Sequence, residues 1–410
     1  MSLPTKSIPL FHRAADLLGR IPPAITWAVA SLAWAGALFG LAGRALLQPD
    51  RATNTARYLR AGRDWLAGEN LYIYTPNKGF VYSPLCAICY AATTWLPEVV
   101  ANVFWIFISG VLLLGGLWAM LNKGPFRSIP QHLQPLVYLL VFPLALGNID
   151  SAQANPIVIG SVMLAISAAY CAKWSWAAAA LGLAVFWKVY PLAVGLLLVL
   201  TAPGKFSWRL VLMLLIGAFL PFAFQNPAYV ISQYHLWYDT RTSDNRLEYS
   251  LDVAPLDLWF VLVRFAGLPI DPLFYRILQL AAAVAIAAVV AWGTWKKWAS
   301  DRLMGALFCL VCVWMTLLGP ASELHAYLLL GPAVCLSLAA TMTGLSRPIE
   351  RGLILATYIL LLLAILRVGF IPKYKELWIL TLQPLAAVLF LMFAVLRYLR
   401  PSVQTGRIAG

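Results

Sequence analysis

Charged residues are scarce in this chain of 410 residues, and their scarcity excludes a soluble protein. Only 11% of the residues are charged and 62% are hydrophobic, with a mean hydropathy of +0.79, whereas a soluble domain has about 25% charged residues. Apolar runs of about 20 residues, enough to cross the hydrocarbon core of a bilayer, recur from residue 25 to residue 398. The runs are continuous and do not alternate with a period of two, which excludes a β-barrel. The sequence therefore predicts an all-α, polytopic integral membrane protein.

Signatures of metal and nucleotide sites are also missing. The two CxxC pairs, Cys86/Cys89 and Cys309/Cys312, lie inside apolar runs, where a zinc site would lack its polar shell. We interpret these cysteines as small packing residues and predict no metal. The chain has no Walker A motif, no GxGxxG motif that opens a helix and no DxD motif. We therefore predict no cofactor and, for an enzyme, a donor that arrives within the membrane.

Basic residues outnumber acidic ones, and the formal net charge is +14. The bases are concentrated in short turns between apolar runs, which is the positive-inside pattern of membrane proteins, so we predict membrane lipids and no nucleic acid as partners. Base-rich segments are assigned to the cytoplasm and acid-rich segments to the exterior, and this predicts about 12 spans with both termini cytoplasmic. The base-rich segments are 204–209, 296–302, 347–351 and the tail after 396, and the acid-rich segments are 48–79, 226–257 and 319–325.

The predicted organisation has a single transmembrane domain. Residues 1–24 form a cytoplasmic N-terminal segment, 25–398 form the domain, and 399–410 form a cytoplasmic tail. The main exterior loops are expected at about 48–79 and 226–273. We expect the first span to act as an uncleaved signal-anchor in the plasma (inner) membrane, because no apolar core precedes it.

Three places in this organisation leave alternatives open. Three apolar runs lie between residues 80 and 147, and the alternation of charge requires that one of them is not a full crossing. The run at 174–201 is interrupted by Lys188 and Pro191, so it is either two half-spans or one kinked span. The mixed-charge stretch 234–257 is either a solvated exterior loop or an acceptor-binding loop.

The first exterior segment, residues 48–84, combines charges with aromatic rings beside the first span. Helical spacing from Thr55 to Leu66 predicts an interfacial helix that lies along the membrane. Asp50 directly follows the first span, where a carboxylate acts as a general base towards a hydroxyl held above the bilayer. The alternative is a surface acid paired with the neighbouring arginine. Arg63, on the predicted helix, is a candidate ligand of the donor phosphate.

A polar turn with the sequence GNIDSAQANP, at residues 147–156, offers many hydrogen-bonding groups between two apolar runs. It either caps two helix ends, with Asp150 or Ser151 as the N-cap, or binds sugar hydroxyls through its amides. The candidate sugar- or acceptor-binding residues of the turn are Asn148, Asp150, Gln153 and Asn155.

Polar residues inside or beside apolar runs are costly and are functional candidates by default. Lys188 needs an anionic partner, either a lipid-linked phosphate or a buried carboxylate, unless it snorkels to the interface. Arg367 is a further candidate phosphate ligand. The segment that contains Glu323, His325 and Tyr327 brings an acid, a histidine and a tyrosine together at an exterior face. Glu323 and His325 are catalytic candidates, unless Glu323 serves only a helix dipole.

These segments together resemble glycosyltransferase family 87, whose members have the GT-C fold and include polyprenol-phosphate-mannose-dependent mannosyltransferases. The resemblance covers about residues 25–400. It rests on five segments in this order: YLRAGRDWLAGENLY (58–72), GFVYSPL (79–85), GNIDSAQANPIVIG (147–160), WKVYPLAVGLLL (187–198) and GPASELHAYLLLGP (319–332).

The resemblance implies an inverting, metal-independent transferase. It would move a hexose, by analogy mannose, from a polyprenyl-phosphate donor to a hydroxyl of a lipid or glycan acceptor at the exterior, periplasmic face. A GT-C-like bundle with interfacial helices in the first exterior loop is expected. Besides the residues of the polar turn, the candidate sugar- or acceptor-binding residues are Asn54, Tyr58, Tyr82, Tyr190 and Tyr327.

One position departs from the family pattern. The family's usual aspartate lies four residues before the tyrosine of its Y-x-x-A segment, and this chain has Asn54 there. Because an asparagine does not take a proton from a hydroxyl, the base is expected to be Asp50, or Glu323 helped by His325. The alternative functions are a secondary transporter or lipid flippase, and a non-catalytic binder of lipid-linked glycans.

Overall fold

The computed structural model confirms the all-α class. It describes residues 16–49, 51, 53–73, 79–242, 255–319, 323–343, 346–370 and 380–400, with the backbone alone for 366–370. Of the residues in these ranges, 80% are helical, and none of the ranges contains a strand.

The longer α-helices of the described ranges are numbered in chain order. They are α1 (Pro23–Leu47), α2 (Asn54–Ala67), α3 (Pro84–Ala91), α4 (Glu98–Asn122), α5 (Gln134–Asp150), α6 (Asn155–Tyr170), α7 (Trp174–Trp187), α8 (Leu192–Thr201), α9 (Pro203–Phe219), α10 (Pro227–Thr242), α11 (Pro272–Trp295), α12 (Ser300–Val313), α13 (Gly331–Thr343), α14 (Pro348–Phe370) and α15 (Leu382–Ala394). A 3-10 helix at Leu324–Leu329 precedes α13, and a π-helix at Trp314–Leu318 continues α12.

Eight helical segments of the described chain are long and apolar enough to cross a membrane, so the protein is an integral membrane protein. They are Pro23–Leu47, Glu98–Asn122, Gln131–Asp150, Pro203–Ala223, Pro272–Trp295, Ser300–Leu318, Leu324–Thr343 and Pro348–Ile365. Four shorter apolar helices accompany them: Asn155–Tyr170, Trp174–Trp187, Leu192–Thr201 and Leu382–Tyr398.

Burial separates the central helices from the peripheral ones. The segments Ser300–Leu318 and Leu324–Thr343 are 83% and 89% buried, whereas Pro272–Trp295 is 11% buried. The exposed side chains of this last helix include Leu273, Phe274 and Ile277. Since a bilayer leaves apolar side chains in contact with lipid, α11 lies at the lipid-facing surface and α12 and α13 form the protein core.

Two glycines bring α4 and α6 into backbone contact. A Cβ atom at Gly116 would lie 2.7 Å from the carbonyl oxygen of Gly160. A Cβ atom at Gly160 would collide with the backbone of Leu112. Only residues without side chains allow two membrane helices to approach so closely, and we call this contact the glycine seam.

The run at 174–201 consists of two half-spans. Helix α7 ends at Trp187, Lys188 has an extended backbone (φ −146°, ψ 133°), and α8 begins only at Leu192. Pro191 has no N–H to continue the ladder of α7. Non-helical backbone at membrane depth is tolerated only where protein buries it or where it lines a cavity. The break at 188–191 therefore points to a cavity.

Outside the long spans, the structure identifies which of the three runs between residues 80 and 147 does not cross, and it corrects one expectation. The apolar run at 80–97 yields only α3, whose eight residues extend about 12 Å at 1.5 Å per residue. It is therefore the run that does not cross. The stretch 226–273 was expected to be a loop, but it contains α10 and a π-helix at Phe260–Phe265. The helix predicted between residues 55 and 66 is confirmed as α2.

Hydrogen bonds tie the segment 48–84 to α10. The backbone N–H of Leu71 donates to Oε1 of Gln233 (3.0 Å), and the hydroxyl of Tyr229 donates to the carbonyl of Glu69 (2.6 Å). Each bond joins the end of the first exterior segment to α10, about 160 residues away. These contacts hold the residues that follow α2 against α10.

Candidate active site

The break at 188–191 opens into a cavity of about 100 Å³, which we call the polar chamber. Five of its lining residues are sequence candidates: Tyr82, Gln153, Lys188, Tyr190 and Glu323. Sequence reasoning missed the other five: Val81, Trp187, Val189, Trp237 and Arg241. The chamber therefore collects cations, a carboxylate, an amide and aromatic rings from five separated parts of the chain.

A buried amide positions Lys188. Its ammonium Nζ donates to Oδ1 of Asn155 at 2.7 Å and lies 5.6 Å from the ring centre of Tyr190. The amide nitrogen of Asn155 donates in turn to Oδ1 of Asn148 and to the backbone carbonyl of His325, both at 2.9 Å. Lys188 is thus held in the wall of the chamber and does not snorkel towards an interface. Asn155 aims the ammonium without adding a negative charge.

Glu323 and His325 face different cavities, although the sequence analysis grouped them. Glu323 lies at the N-terminus of the 3-10 helix and lines the polar chamber. His325 lines a second cavity of about 200 Å³, which we call the apolar cavity. The other residues that line the apolar cavity are Leu144, Gly147, Asn148, Leu324, Tyr327, Leu328, Leu361, Ile365 and Gln383.

Tyr82, which lines the chamber, forms a buried hydrogen-bonded pair with Tyr58. The hydroxyls of Tyr58 and Tyr82 lie 3.0 Å apart, and the hydroxyl of Tyr72 donates to the backbone carbonyl of Tyr82 at 2.7 Å. Burial raises the pKa of Tyr82 to about 12, against an opposing effect of its hydrogen bond with Tyr58. Tyr82 is therefore a neutral hydroxyl at physiological pH. Tyr58 supports it from α2 and does not itself line the chamber.

The candidate residues of the polar turn at 147–156 lie in different surroundings. Gln153 lines the chamber, while Asn148 and Asn155 are buried in its wall. Asp150 ends α5 and accepts hydrogen bonds from Arg44 at 2.6 Å and from Arg51 at 2.6 and 2.7 Å. Asp150 therefore belongs to an ion-pair cluster and not to the chamber.

The prediction that Asp150 or Ser151 caps the next helix is wrong. Helix α6 begins after Ala154, which offers no side-chain hydrogen bond. The carbonyl of Ser151 instead accepts two hydrogen bonds from Asn54, at 2.9 Å from the side-chain amide and at 3.2 Å from the backbone. Asn54 thus fastens the start of α2 to this turn.

Two other candidates lie away from the chamber, and two more are not covered by the structure. Arg63 is half-exposed and its Nη2 lies 3.7 Å from Oε2 of Glu98. Tyr327 is buried in the wall of the apolar cavity, and its hydroxyl donates to the carbonyl of Leu256 at 2.5 Å. Asp50 and the side chain of Arg367 lie outside the described residues.

Two of the missed residues, Trp237 and Arg241, come from α10. The sequence left the stretch 234–257 as either a solvated loop or an acceptor-binding loop, and neither residue was assigned to the site. Their i, i+4 spacing places both side chains on one helix face, and that spacing was the signal available in the sequence. The indole N–H of Trp237 donates to the carbonyl of Val81 at 3.3 Å, which fixes α10 against the chamber.

Among the described residues, no three side chains of His, Cys, Asp or Glu come together as a metal site requires. The chamber offers instead cationic, carboxylate, amide and aromatic groups.

Comparison with known proteins decides the family. The model of glycosyltransferase family 87 matches residues 80–320, which is more than half of the chain. The chain belongs to glycosyltransferase family 87. As a member of family 87 with apolar helices long enough to cross a bilayer, it is a membrane glycosyltransferase. No curated protein and no solved structure matches the chain. The matched range includes the polar turn and the break at 188–191, while the segments 58–72 and 323–327 fall outside it.

Proposed function

We propose that this family 87 enzyme transfers a hexose, by analogy mannose, from a polyprenyl-phosphate donor to a hydroxyl of a lipid or glycan acceptor. One observation supports the proposal above all others: the polar chamber brings Lys188, Arg241 and Glu323 to the walls of one space. A group transfer with a phosphate leaving group needs cations, a base and room for a sugar, and these residues supply them.

Lys188 and Arg241 are the proposed ligands of the phosphate. They reach the chamber from the broken span and from α10, so their positions are set by different elements. When the bond between the anomeric carbon and the phosphate oxygen breaks, the leaving phosphate gains negative charge. Preorganised cations stabilise such developing charge. We therefore propose that the reaction is metal-independent.

Glu323 is the proposed general base. Its carboxylate takes the proton of the acceptor hydroxyl while the hydroxyl oxygen attacks the anomeric carbon from the face opposite the phosphate. One carbon–oxygen bond forms, the bond to the phosphate breaks, and the configuration at the anomeric carbon inverts. Asp50 stays an alternative base from the sequence analysis. A base must lie within hydrogen-bond reach of the proton it takes, and Glu323 lines the chamber.

The sugar is proposed to bind against the aromatic part of the chamber. Trp187, Tyr190 and Trp237 offer apolar ring faces, and Gln153 offers an amide that both donates and accepts hydrogen bonds. Such a surface suits a pyranose, which has an apolar face and a rim of hydroxyls. The amphipathic rings of Trp and Tyr combine both properties.

We place the chamber at the exterior face of the plasma (inner) membrane. The segment Ser300–Leu318 begins next to the base-rich turn at Lys296 and Lys297 and ends five residues before Glu323. If the base-rich turn is cytoplasmic, one crossing brings Glu323 to the exterior. The acid-rich segments at the same end agree with this orientation.

The test is a transfer assay with the purified full chain. Labelled polyprenyl-phosphate sugars are offered one at a time with a crude membrane-lipid acceptor pool, and transfer from at least one donor is expected. Glu323→Gln should lower the rate of transfer by about 10²–10⁴-fold. Arg63→Gln, which affects a half-exposed residue outside the chamber, is the matched control. Binding of the donor without turnover by the wild type would support the non-catalytic alternative that Asn54 raises.

A further inference from the structure

The apolar cavity is a second concave space that the proposed transfer does not use. It lies on the far side of a thin wall from the polar chamber. In this wall, the side-chain amide of Asn155 bonds Lys188 on one side and the backbone of His325 on the other. At about 200 Å³, the cavity is the larger of the two and has a different chemistry.

The lining of this cavity is mostly hydrocarbon. Leu144, Leu328 and Leu361 are buried and form its walls from α5, the 3-10 helix and α14. Two residues further along α14, Leu363 is 50% exposed and faces the surrounding lipid. The cavity is therefore separated from the bilayer by the thickness of one helix. An aliphatic ligand would match both its walls and its surroundings.

A residue that lines the cavity has one buried polar atom without a partner among the described residues. Gln383, on α15, is 2% exposed, and its Nε2 donates to the carbonyl of Leu324 at 3.1 Å. Its Oε1 is buried and accepts no hydrogen bond from any residue in the ranges given above. A buried acceptor that is left unsatisfied costs free energy. A hydrogen-bond donor on a ligand in the cavity would remove that cost.

We propose that the apolar cavity binds an aliphatic chain that ends in a hydroxyl, with the hydroxyl donating to Oε1 of Gln383. Leu144, Leu328 and Leu361 contact the hydrocarbon part. The proposal deepens the proposed function and rests on it for the identity of the ligand. A hydroxyl-bearing lipid acceptor and the lipid alcohol of the donor carrier both have this chemistry.

Direct binding tests the proposal without any sugar transfer. The probe is farnesol with a photoreactive diazirine, used with the purified full chain in detergent, and the cross-linked residues are mapped by mass spectrometry. Saturable cross-linking to α14 and α15 around Leu361 and Gln383 is expected. The second probe is the matching hydrocarbon without a hydroxyl, which should bind more weakly by about fivefold, the worth of one net hydrogen bond.

Two variants separate the hydroxyl contact from the cavity itself. Gln383→Met keeps the shape of the side chain and removes the acceptor, so farnesol should lose about fivefold in affinity while the hydrocarbon loses nothing. Leu361→Trp fills the cavity and should weaken both probes by about tenfold or more. Leu363→Trp, on the lipid-facing side of the same helix, is the control and should leave both affinities unchanged.

The outcomes distinguish this proposal from the proposed function. Lack of saturable binding or cross-links outside the cavity would show that the cavity is not the binding site of such a chain. Equal farnesol affinity in Gln383→Met and the wild type would show that Gln383 does not accept the hydroxyl. Each of these results would overturn the proposal. Farnesol binding at the cavity without sugar transfer would overturn the function and keep the site. A hydroxyl-bearing membrane lipid that competes with farnesol identifies the acceptor as the source. Competition by a long polyprenol alone identifies the carrier.

Discussion

The polar chamber and the apolar cavity lie side by side and differ in nearly every chemical property. The first has Lys188, Arg241 and Glu323 in its lining, and the second has four leucines and an isoleucine among its ten lining residues. The 3-10 helix Leu324–Leu329 explains why Glu323 lines the chamber while the adjacent Leu324 lines the apolar cavity. With three residues per turn, positions three apart are superimposed. Accordingly, Leu324 and Tyr327, like His325 and Leu328, line the apolar cavity together, while Glu323 precedes the helix and faces the chamber.

The largest expected effect tests whether the chemistry belongs to the chamber. Glu323→Gln should lower kcat by about 10²–10⁴-fold, the usual contribution of a general base, with an unchanged melting temperature. His325→Gln should cost less, because His325 faces the other cavity. Transfer kinetics with both variants measure the difference. A greater loss of kcat in His325→Gln would indicate that the base lies in the apolar cavity.

The next effect concerns the cations. Lys188→Met should lower kcat by about 10²–10³-fold, because it removes one group that stabilises the leaving phosphate. Arg63→Met should change kcat less than twofold, since Arg63 contacts Glu98 away from the chamber. The same transfer assay measures both variants. Equal losses in the two would contradict the assignment of phosphate binding to the chamber.

The wall between the cavities provides a test of stability. Asn155→Leu removes the hydrogen bonds to Lys188, Asn148 and His325, and it should lower the free energy of unfolding by about 3 kcal/mol, because buried groups lose their partners. Thermal unfolding in detergent measures the effect. Asn122→Leu, which removes an exposed amide bonded within its own helix, is the control. A similar melting temperature for both variants would show that the wall has no such network.

A pH effect is expected from Asp257, whose neighbour Leu256 accepts a hydrogen bond from Tyr327 in the wall of the apolar cavity. Burial raises the pKa of Asp257 to about 7, against hydrogen bonds from the N–H of Phe260 and the hydroxyl of Tyr275. The folded protein therefore holds a proton that the unfolded chain releases near pH 4. The free energy of unfolding therefore decreases as the pH rises from about 4 to about 7. From about pH 5.5 upwards this decrease amounts to about 2 kcal/mol.

In Asp257→Asn the free energy of unfolding should not decrease in this way. The stability of the variant relative to the wild type should therefore be higher at about pH 8.5 than at about pH 5.5. Melting temperatures of both proteins at the two pH values measure the difference. Leu258→Ala, a neighbour without a titrating group, should differ from the wild type by the same amount at both. A constant difference for Asp257→Asn as well would mean that Asp257 does not titrate in this range.

The smallest effect concerns the departure from the family pattern. Asn54→Asp restores the family's carboxylate but removes the amide that donates to Ser151. It should cost about 1 kcal/mol of stability, the net worth of one hydrogen bond, and should not raise kcat. Asn122→Asp is the matched control for stability. An increase in kcat for Asn54→Asp would indicate that the base acts from the start of α2.

Sequence reasoning reached the fold class and part of the chamber. Hydropathy identified the helices because apolar length alone decides whether a segment crosses a bilayer. A lysine and a proline three residues apart marked the break at 188–191 because each is costly inside a span. The contact of Lys188 with Asn155, 33 residues earlier, depends on helix packing and was not predictable. Arg241 and Trp237 were missed because α10 is polar enough to be interpreted as a loop.

The glycine seam has a consequence for how firmly Lys188 is positioned. Helix α6 carries Asn155 at its first position, and Gly160, little more than one turn further on, fixes that helix against α4 at backbone distance. A sliding motion of α6 would drive one main chain into the other. The close backbone contact at two glycines thus limits how far Asn155, and with it the ammonium group that it binds, can be displaced.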